Sequence, residues 1–381
     1  MADNTKIEWT DATWNPITGC SVVSPGCTNC YAMRLAGTRL KHVESRKGLT
    51  RDSKAGPVWN GEVRFNEKDL DQPLRWKRPR LIFVCAHGDL FHENVPDEWI
   101  DEVFAVMAFT PQHTFQVLTK RSARMREYLD NEWRGVRVRN AMQAMHHNHP
   151  TIDLMTLPLP NVWLGVSAED QKRADERIPD LLATPAAIRF VSAEPLLGPV
   201  DLTWIAEPDD EKEGVIDAVL GCNWIDGMGR GVAYRPTRPG HEGRVMTRHV
   251  CSSDDEILAS RKLDWVIVGG ESGPAARPMH PDWARSLRDQ CAAAGVAFHF
   301  KQWGEWFSES REGACADLDR MMSNERVAWG DGSSNHLIHR KLGKKAAGRS
   351  LDGREHDAFP KQEFSRAADH FVGRRRRASL L

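Results

Sequence analysis

The 381-residue chain has no excess of charge of either sign: 52 Lys and Arg face 53 Asp and Glu, a net charge of −1. A whole-molecule field that draws in nucleic acid is thereby excluded, and any basic recognition surface has to be local. Long apolar runs are also missing, so no membrane span is expected. The opening residues, Met1-Ala2-Asp3-Asn4-Thr5-Lys6, contain no apolar stretch of the kind a secretory leader carries, and a cytoplasmic location is expected. Low-complexity sequence is limited to Arg374–Arg377, which reads as a solvated terminus. What remains is ordinary globular composition, 40% hydrophobic and 28% charged. That is enough for one large α/β domain with additions, or for two domains.

Short runs rich in Val, Ile, Phe and Trp recur, most of them followed by a helical pattern. Strands are expected near Thr13–Thr18, Val63–Asn66, Leu81–Val84, Thr114–Leu118, Val162–Val166, Ile188–Val191, Trp265–Val268 and Ala297–Phe300. Helices are expected at Thr28–Lys41, Leu70–Lys77, Asp97–Phe109, Ala123–Asn131, Asp170–Leu182 and Pro281–Ala294. This alternation predicts a parallel sheet curled into a partial or full β/α barrel over residues 1–305, with an open doubly wound sheet as the alternative. Residues 201–262 are acidic and rich in Gly and Arg, without a period, and read as an insertion after the sixth expected strand. Residues 306–381 read as a polar C-terminal extension ending in the basic tail.

In β/α barrels the chemistry gathers at the C-terminal ends of the strands, where the βα loops converge. Most of the expected strands end in polar groups. The third is followed by His87, Asp89 and His92, and the fourth by Thr119-Lys120-Arg121. The fifth leads into Ser167-Ala-Glu169-Asp170 and the sixth into Ser192-Ala-Glu194. The seventh ends in Gly269-Gly270-Glu271-Ser272, and the eighth in Lys301-Gln302-Trp303. Any one of these could be a cap or an ordinary loop residue. Together they predict a ligand-binding mouth, with Gly269-Gly270 as a place where backbone approaches a ligand closely.

The first strand leads into Gly19-Cys20-Ser-Val-Val-Ser-Pro25-Gly26-Cys27-Thr-Asn-Cys30-Tyr31. Eight cysteines in a reducing compartment point to metal ligands or buried apolar groups more than to disulfides. Gly19, Pro25 and Gly26 bend the chain so that the thiolates of Cys20, Cys27 and Cys30 can converge. A structural zinc site closes with four ligands. Here there is one C-x2-C pair and a third cysteine, so a zinc reading needs Cys85 or a histidine to complete it. Three thiolates on a 4Fe–4S cluster leave one iron for S-adenosylmethionine (SAM), the arrangement of reductive radical chemistry. Two further readings stay open. One is a metal-dependent hydrolase built on His87, Asp89 and His92. The other is a non-catalytic zinc or nucleic-acid-binding protein, for which Cys222, His241, His249 and Cys251 have the ligand types but no common finger spacing.

The cysteine loop resembles the first βα loop of the radical SAM superfamily, including the aromatic residue beside the last cysteine, here Tyr31. The superfamily spacing is C-x3-C-x2-C, and this loop is longer by three residues. Over nearly its whole length the chain is more closely similar to a phage and prophage three-cysteine family. The motifs are Trp9-Thr-Asp-Ala-Thr-Trp14-Asn15-Pro16, Asp89-Leu-Phe-His92-Glu93, Phe115-Gln-Val-Leu-Thr119-Lys120-Arg121, Trp163-Leu-Gly-Val-Ser167, Glu194-Pro195-Leu-Leu-Gly198, Gly269-Gly-Glu271-Ser272-Gly273, Phe300-Lys301-Gln302-Trp303-Gly304 and Leu351-Asp-Gly-Arg-Glu355. The resemblance implies a radical-SAM-like barrel, an electron donor that reduces the cluster, and a nucleotide or nucleic-acid base as substrate. The residues expected to hold SAM are Ser167, Glu169, Glu194, Gly269, Gly270, Glu271 and Ser272. Those expected on the substrate side are Asp89, His92, Lys120, Lys301 and Gln302.

Overall fold

A computed structural model describes residues 5–146, 151–206, 215–226, 233–234, 246–248, 261–312, 325–330 and 335–361. Its centre is a sheet of seven parallel strands paired in chain order: β1 (Ala12–Trp14), β2 (Leu81–Val84), β3 (Thr114–Thr119), β4 (Val162–Ser167), β5 (Ile188–Ala193), β6 (Trp265–Gly269) and β7 (Ala297–Gln302). Chain-order pairing curls the sheet into a half-barrel, with β1 and β7 as its two edges. The helices that flank it include α1 (Tyr31–Gly37), α2 (Asp97–Phe109), α3 (Ser122–Asp130), α4 (Arg134–Met145), α5 (Gln171–Ala183) and α6 (Pro281–Ala294). No described helix is long and apolar enough to cross a membrane.

Parallel strands covered on both faces become nearly continuous apolar runs, and here the two faces carry different residues. Ile82, Val84, Leu164, Val166, Val191, Val266 and Val268 pack outward against the helices. Leu81, Phe83, Trp163, Ile188, Phe190, Trp265 and Ile267 form a second, inner cluster with Trp9 from the chain before β1. Inside, the rings meet edge to face: Trp163 and Trp265 lie 5.8 Å apart, and Trp9 and Trp265 6.2 Å. Each such side chain removed from water contributes about 1.5–3 kcal/mol. Gly165 leaves the space that the Phe190 ring fills, since a Cβ there would stand 2.5 Å from ring carbons.

Local signals fix the helix ends. Asp170 caps α5 by accepting from the Arg173 amide, and α6 starts at Pro281 and ends on the left-handed Gly295.

Three expectations need correction. The stretch Val63–Asn66 is not a strand of the half-barrel. Arg64–Phe65 pairs antiparallel with Ile17–Thr18 outside it, because Asn15-Pro16 breaks the first expected strand in two. The helix expected over Thr28–Lys41 is only Tyr31–Gly37, and Leu70–Lys77 is replaced by two short turns, Glu67–Leu70 and Gln72–Arg75. The insertion follows Ile188–Ala193 as expected, the fifth strand of the sheet once Val63–Asn66 drops out, and its described part forms a small antiparallel sheet from Ile205 to Arg248. Helix α4 and the three-stranded antiparallel sheet of Trp306–Glu312, Asn335–Lys341 and Glu325–Gly330 were not anticipated. His241, His249, Cys251 and the Arg374–Arg377 tail lie outside the described residues.

The tight fit of Phe190 over Gly165 is testable. Gly165→Ala should lower stability by about 1–3 kcal/mol through overpacking. Adding Phe190→Leu should recover part of that loss, and urea denaturation of the two single variants and the double variant measures the coupling. Strict additivity would show that the two positions do not share this space.

Candidate functional site: a cysteine loop clamped over the half-barrel

Asn15, just past β1, accepts the His87 amide through its Oδ1, and Gly19 pairs its backbone with the loop after β2. Gly19 has a φ of +96°, and a Cβ there would collide with the Glu62 carbonyl. A glycine is therefore required where the cysteine loop begins. The 3-10 turn Pro25–Cys27 then carries the chain to Cys30, which stands at the N-terminus of α1.

Each of the three sulfurs faces a different polar neighbour. Arg121 Nη1 donates to Cys20 Sγ at 3.4 Å. Ser24 Oγ lies 3.9 Å from Cys27 Sγ. The backbone amides of Met33 and Ala32 act on the Cys30 sulfur and favour its thiolate. In the metal-free chain burial dominates nonetheless. It pushes the Cys20 thiol up to about 12, with Asp89 adding to the rise and Arg121 opposing it, and it raises Cys30 as well. Ligation would displace those protons. Cys85 stands apart, its sulfur against the Ile17 backbone and also held as a thiol by burial. Among the described residues no three His, Cys, Asp or Glu side chains are drawn together as they would be around a single metal ion.

Arg121 is the clamp on the first cysteine. Its Nε donates to Glu93 (2.9 Å), Nη1 to Asp89 (3.0 Å) as well as to Cys20, and Nη2 to the Ser21 hydroxyl (2.7 Å) and carbonyl (3.3 Å). Asp89 also accepts from Thr119 Oγ1 and from the amides of Phe91 and Lys120. His92 is fully buried. Its Nδ1 accepts the Asn94 amide, so its Nε2 is left to donate to Ser21 Oγ at 3.0 Å. Asp89 and His92, expected on the substrate side, thus have their polar atoms committed to holding the loop.

The other two cysteines are held through carboxylates. Glu169, with no exposed surface, accepts the Gly26 amide at 3.1 Å and Arg177 Nη1 at 3.0 Å. Burial raises its carboxyl, but Lys120, Arg177, Ser24 and the Gly26 amide overcome this and hold it below the usual range. Glu271 accepts from Asn29 Nδ2 and from the amide, Nε and Nη2 of Arg277, and Arg277 also reaches the Pro25 carbonyl. Glu194 accepts two bonds from Lys301 Nζ, at 2.7 and 2.9 Å, and a longer one from Gln302 Nε2 at 3.4 Å. Gln302 Nε2 donates to Ser272 Oγ at 3.0 Å, and its buried Oε1 has no partner among the described residues.

The turn Gly269-Gly270 lies close against neighbouring protein. A Cβ on Gly270 would strike the Trp303 carbonyl, and one on Gly269 would crowd the Glu194 carboxylate. The glycines admit neighbouring protein. Arg121, Arg177, Arg277 and Asn29 do most of the holding; Arg121 was visible in the sequence at the polar end of the fourth expected strand, and the other three did not stand out. Arg277, six positions after Glu271, offered the only local hint.

Fold and site together define a half-barrel α/β protein whose first βα loop carries three cysteines over the C-terminal ends of the strands. The chain belongs to the family described as "Protein of unknown function (DUF5131)", whose model matches residues 4–360. No curated protein and no solved structure matches it.

The histidines behind the loop give it an acid limit. Burial, reinforced by Arg46, lowers His87 to about 4 from an ordinary 6.5, and burial followed by Arg121 lowers His92. Both are neutral in the folded chain and protonate more readily once it unfolds. Stability should therefore be full above pH 6.5 and fall as pH drops toward 4, where the depressed carboxylates Glu169 and Glu271 begin to add to the loss. Denaturant midpoints against pH should show this slope, and His87→Asn should flatten it between pH 6.5 and 4. An unchanged slope in that variant would place the acid sensitivity elsewhere.

Proposed function

We propose that this protein is a radical SAM-type enzyme in which Cys20, Cys27 and Cys30 hold a 4Fe–4S cluster and a nucleotide or nucleic-acid base is modified, in keeping with a phage context. The observation that carries the reading is the donor set. Three cysteines share one loop, and each sulfur has its own polar neighbour. Hydrogen bonds to ligand sulfurs are what orient a cluster and tune its potential. Three thiolates leave one iron for SAM, and the bound group supplies one-electron cleavage of SAM to a carbon radical.

The chain's own residues then have separable tasks. Arg121, Glu169 and Glu271 keep the cysteine loop seated, and because their charges are paired they are in place before any ligand arrives. Glu169, Glu194 and the Gly269–Ser272 turn would border SAM over the strand ends. Lys120, Lys301 and Gln302 border the same mouth on the substrate side. Electrons come from a separate donor protein. The hydrolase reading loses support because His92 and Asp89 have their polar atoms occupied.

Anaerobic reconstitution should load about four irons per chain, with broad absorption at the blue end of the visible range. Cys20→Ala, Cys27→Ala and Cys30→Ala should each abolish that uptake. Cys291→Ala, in α6 and away from the loop, should not. Reduced protein should cleave SAM to 5′-deoxyadenosine and methionine even without substrate. Stoichiometric zinc in protein purified without oxygen, together with no iron uptake, would end this reading.

A further inference from the structure

The concave face carries a row of polar groups that the loop does not use. Trp163, Gly165 and Ser167 alternate along the inner face of β4, and Ile188, Phe190 and Ser192 along that of β5. The register sets Trp163 beside Ile188 and Ser167 beside Ser192. Thr119 pairs with Val166, so Lys120, one residue past β3, comes level with Ser167. Lys120, Ser167 and Ser192 thus form the layer directly above the one in which Phe190 lies over Gly165. At this level the aromatic filling gives way to hydroxyls.

Ser167 and Ser192 are 3% and 2% exposed. Their carbonyls are used, by Arg177 Nη1 and by the Ala168 amide. Neither hydroxyl has a hydrogen-bond partner among the described residues. A hydroxyl without a protein partner at such a site is free to donate to a ligand. Lys120 differs from its neighbours in the same way. Arg121, Arg177, Arg277 and Lys301 are each ion-paired with a carboxylate. The Lys120 ammonium has no hydrogen bond or ion pair among the described residues and is drawn only through space toward Glu169 and Cys30.

We propose that Lys120, Ser167 and Ser192 form a subsite for a phosphate group, so that the molecule held beside the cysteine loop is a nucleotide carrying its phosphate and not a nucleoside or a free base. An ammonium flanked by two hydroxyl donors suits a tetrahedral oxyanion: the lysine acts as a point charge and the hydroxyls supply direction. The nearest carboxylates do not oppose an anion there, because Arg177 neutralises Glu169 and Lys301 neutralises Glu194. The inference rests on the preceding proposal only in taking this ligand to be the substrate.

The test is calorimetric titration of anaerobically prepared full-length protein. The probes are the four 2′-deoxynucleoside 5′-monophosphates, their nucleosides and a short single-stranded oligodeoxynucleotide. A phosphate-bearing probe should bind at least about tenfold more tightly than the matching nucleoside. Lys120→Ala and Ser192→Ala should each remove most of that preference, and Lys120→Arg should keep it. Whether the monophosphate or the strand shows the preference identifies where the phosphate comes from. Equal binding with and without phosphate, no binding of any probe, or an unchanged preference in both alanine variants overturns the subsite. Iron content and SAM affinity of the same samples keep the two proposals apart. Protein that takes up no iron yet keeps a Lys120-dependent phosphate preference defeats only the cluster chemistry. Variants that lose SAM affinity but no phosphate preference defeat only the subsite.

Discussion

A guanidinium has five N–H donors, and in Arg121 all five are spent within one loop-to-loop junction. Two carboxylates, a hydroxyl, a carbonyl and a cysteine sulfur converge on one planar group that is nearly out of solvent. A planar, delocalised fork can meet such a set without bending, which an ammonium cannot do. The rest of the mouth depends on this junction, because it fixes Cys20 relative to the end of β3 and so relative to the whole sheet. Removing a partner would leave a charge buried without compensation, which costs far more than the pair itself contributes.

The same device recurs around the rim with different residues. Glu169 ties the turn before Cys27 to α5 through Arg177, and Glu271 ties Asn29 and Pro25 to the loop after β6 through Arg277. Each carboxylate bridges the cysteine loop and a separate βα unit. Three ion pairs therefore position three cysteines, and the loop's shape is set by the protein's own residues. A flexible loop of this length would have to lose considerable entropy on ligation, and a tethered one loses little.

How far this was legible in the sequence follows from the range of the signals. Helices such as Asp97–Phe109 and Pro281–Ala294 matched their expected bounds because their periodicity and end signals are local. Six of the seven parallel strands were marked by apolar runs that both faces of the sheet demand. The seventh, β1, is only three residues long, and its apolar run continues past Asn15-Pro16, so its end was misplaced. The cysteine loop and the polar strand ends were also visible. Their division of labour was not. Whether Lys301 faces a ligand or Glu194 depends on two residues 107 positions apart in the chain. No local pattern distinguishes an arginine that seats a loop from one that binds a substrate.

The turns after β6 and β7 also interlock through backbone. A Cβ on Gly270 would strike the Trp303 carbonyl, and one on Gly304, with a φ of +84°, would strike the Glu271 carbonyl. Each glycine is the vacancy that the other turn's carbonyl occupies, so the two stretches are halves of one fit. Drift at either position cannot be rescued by trimming a neighbouring side chain, because what stands opposite is main chain. A crossover between them would join halves that have not been shaped to each other.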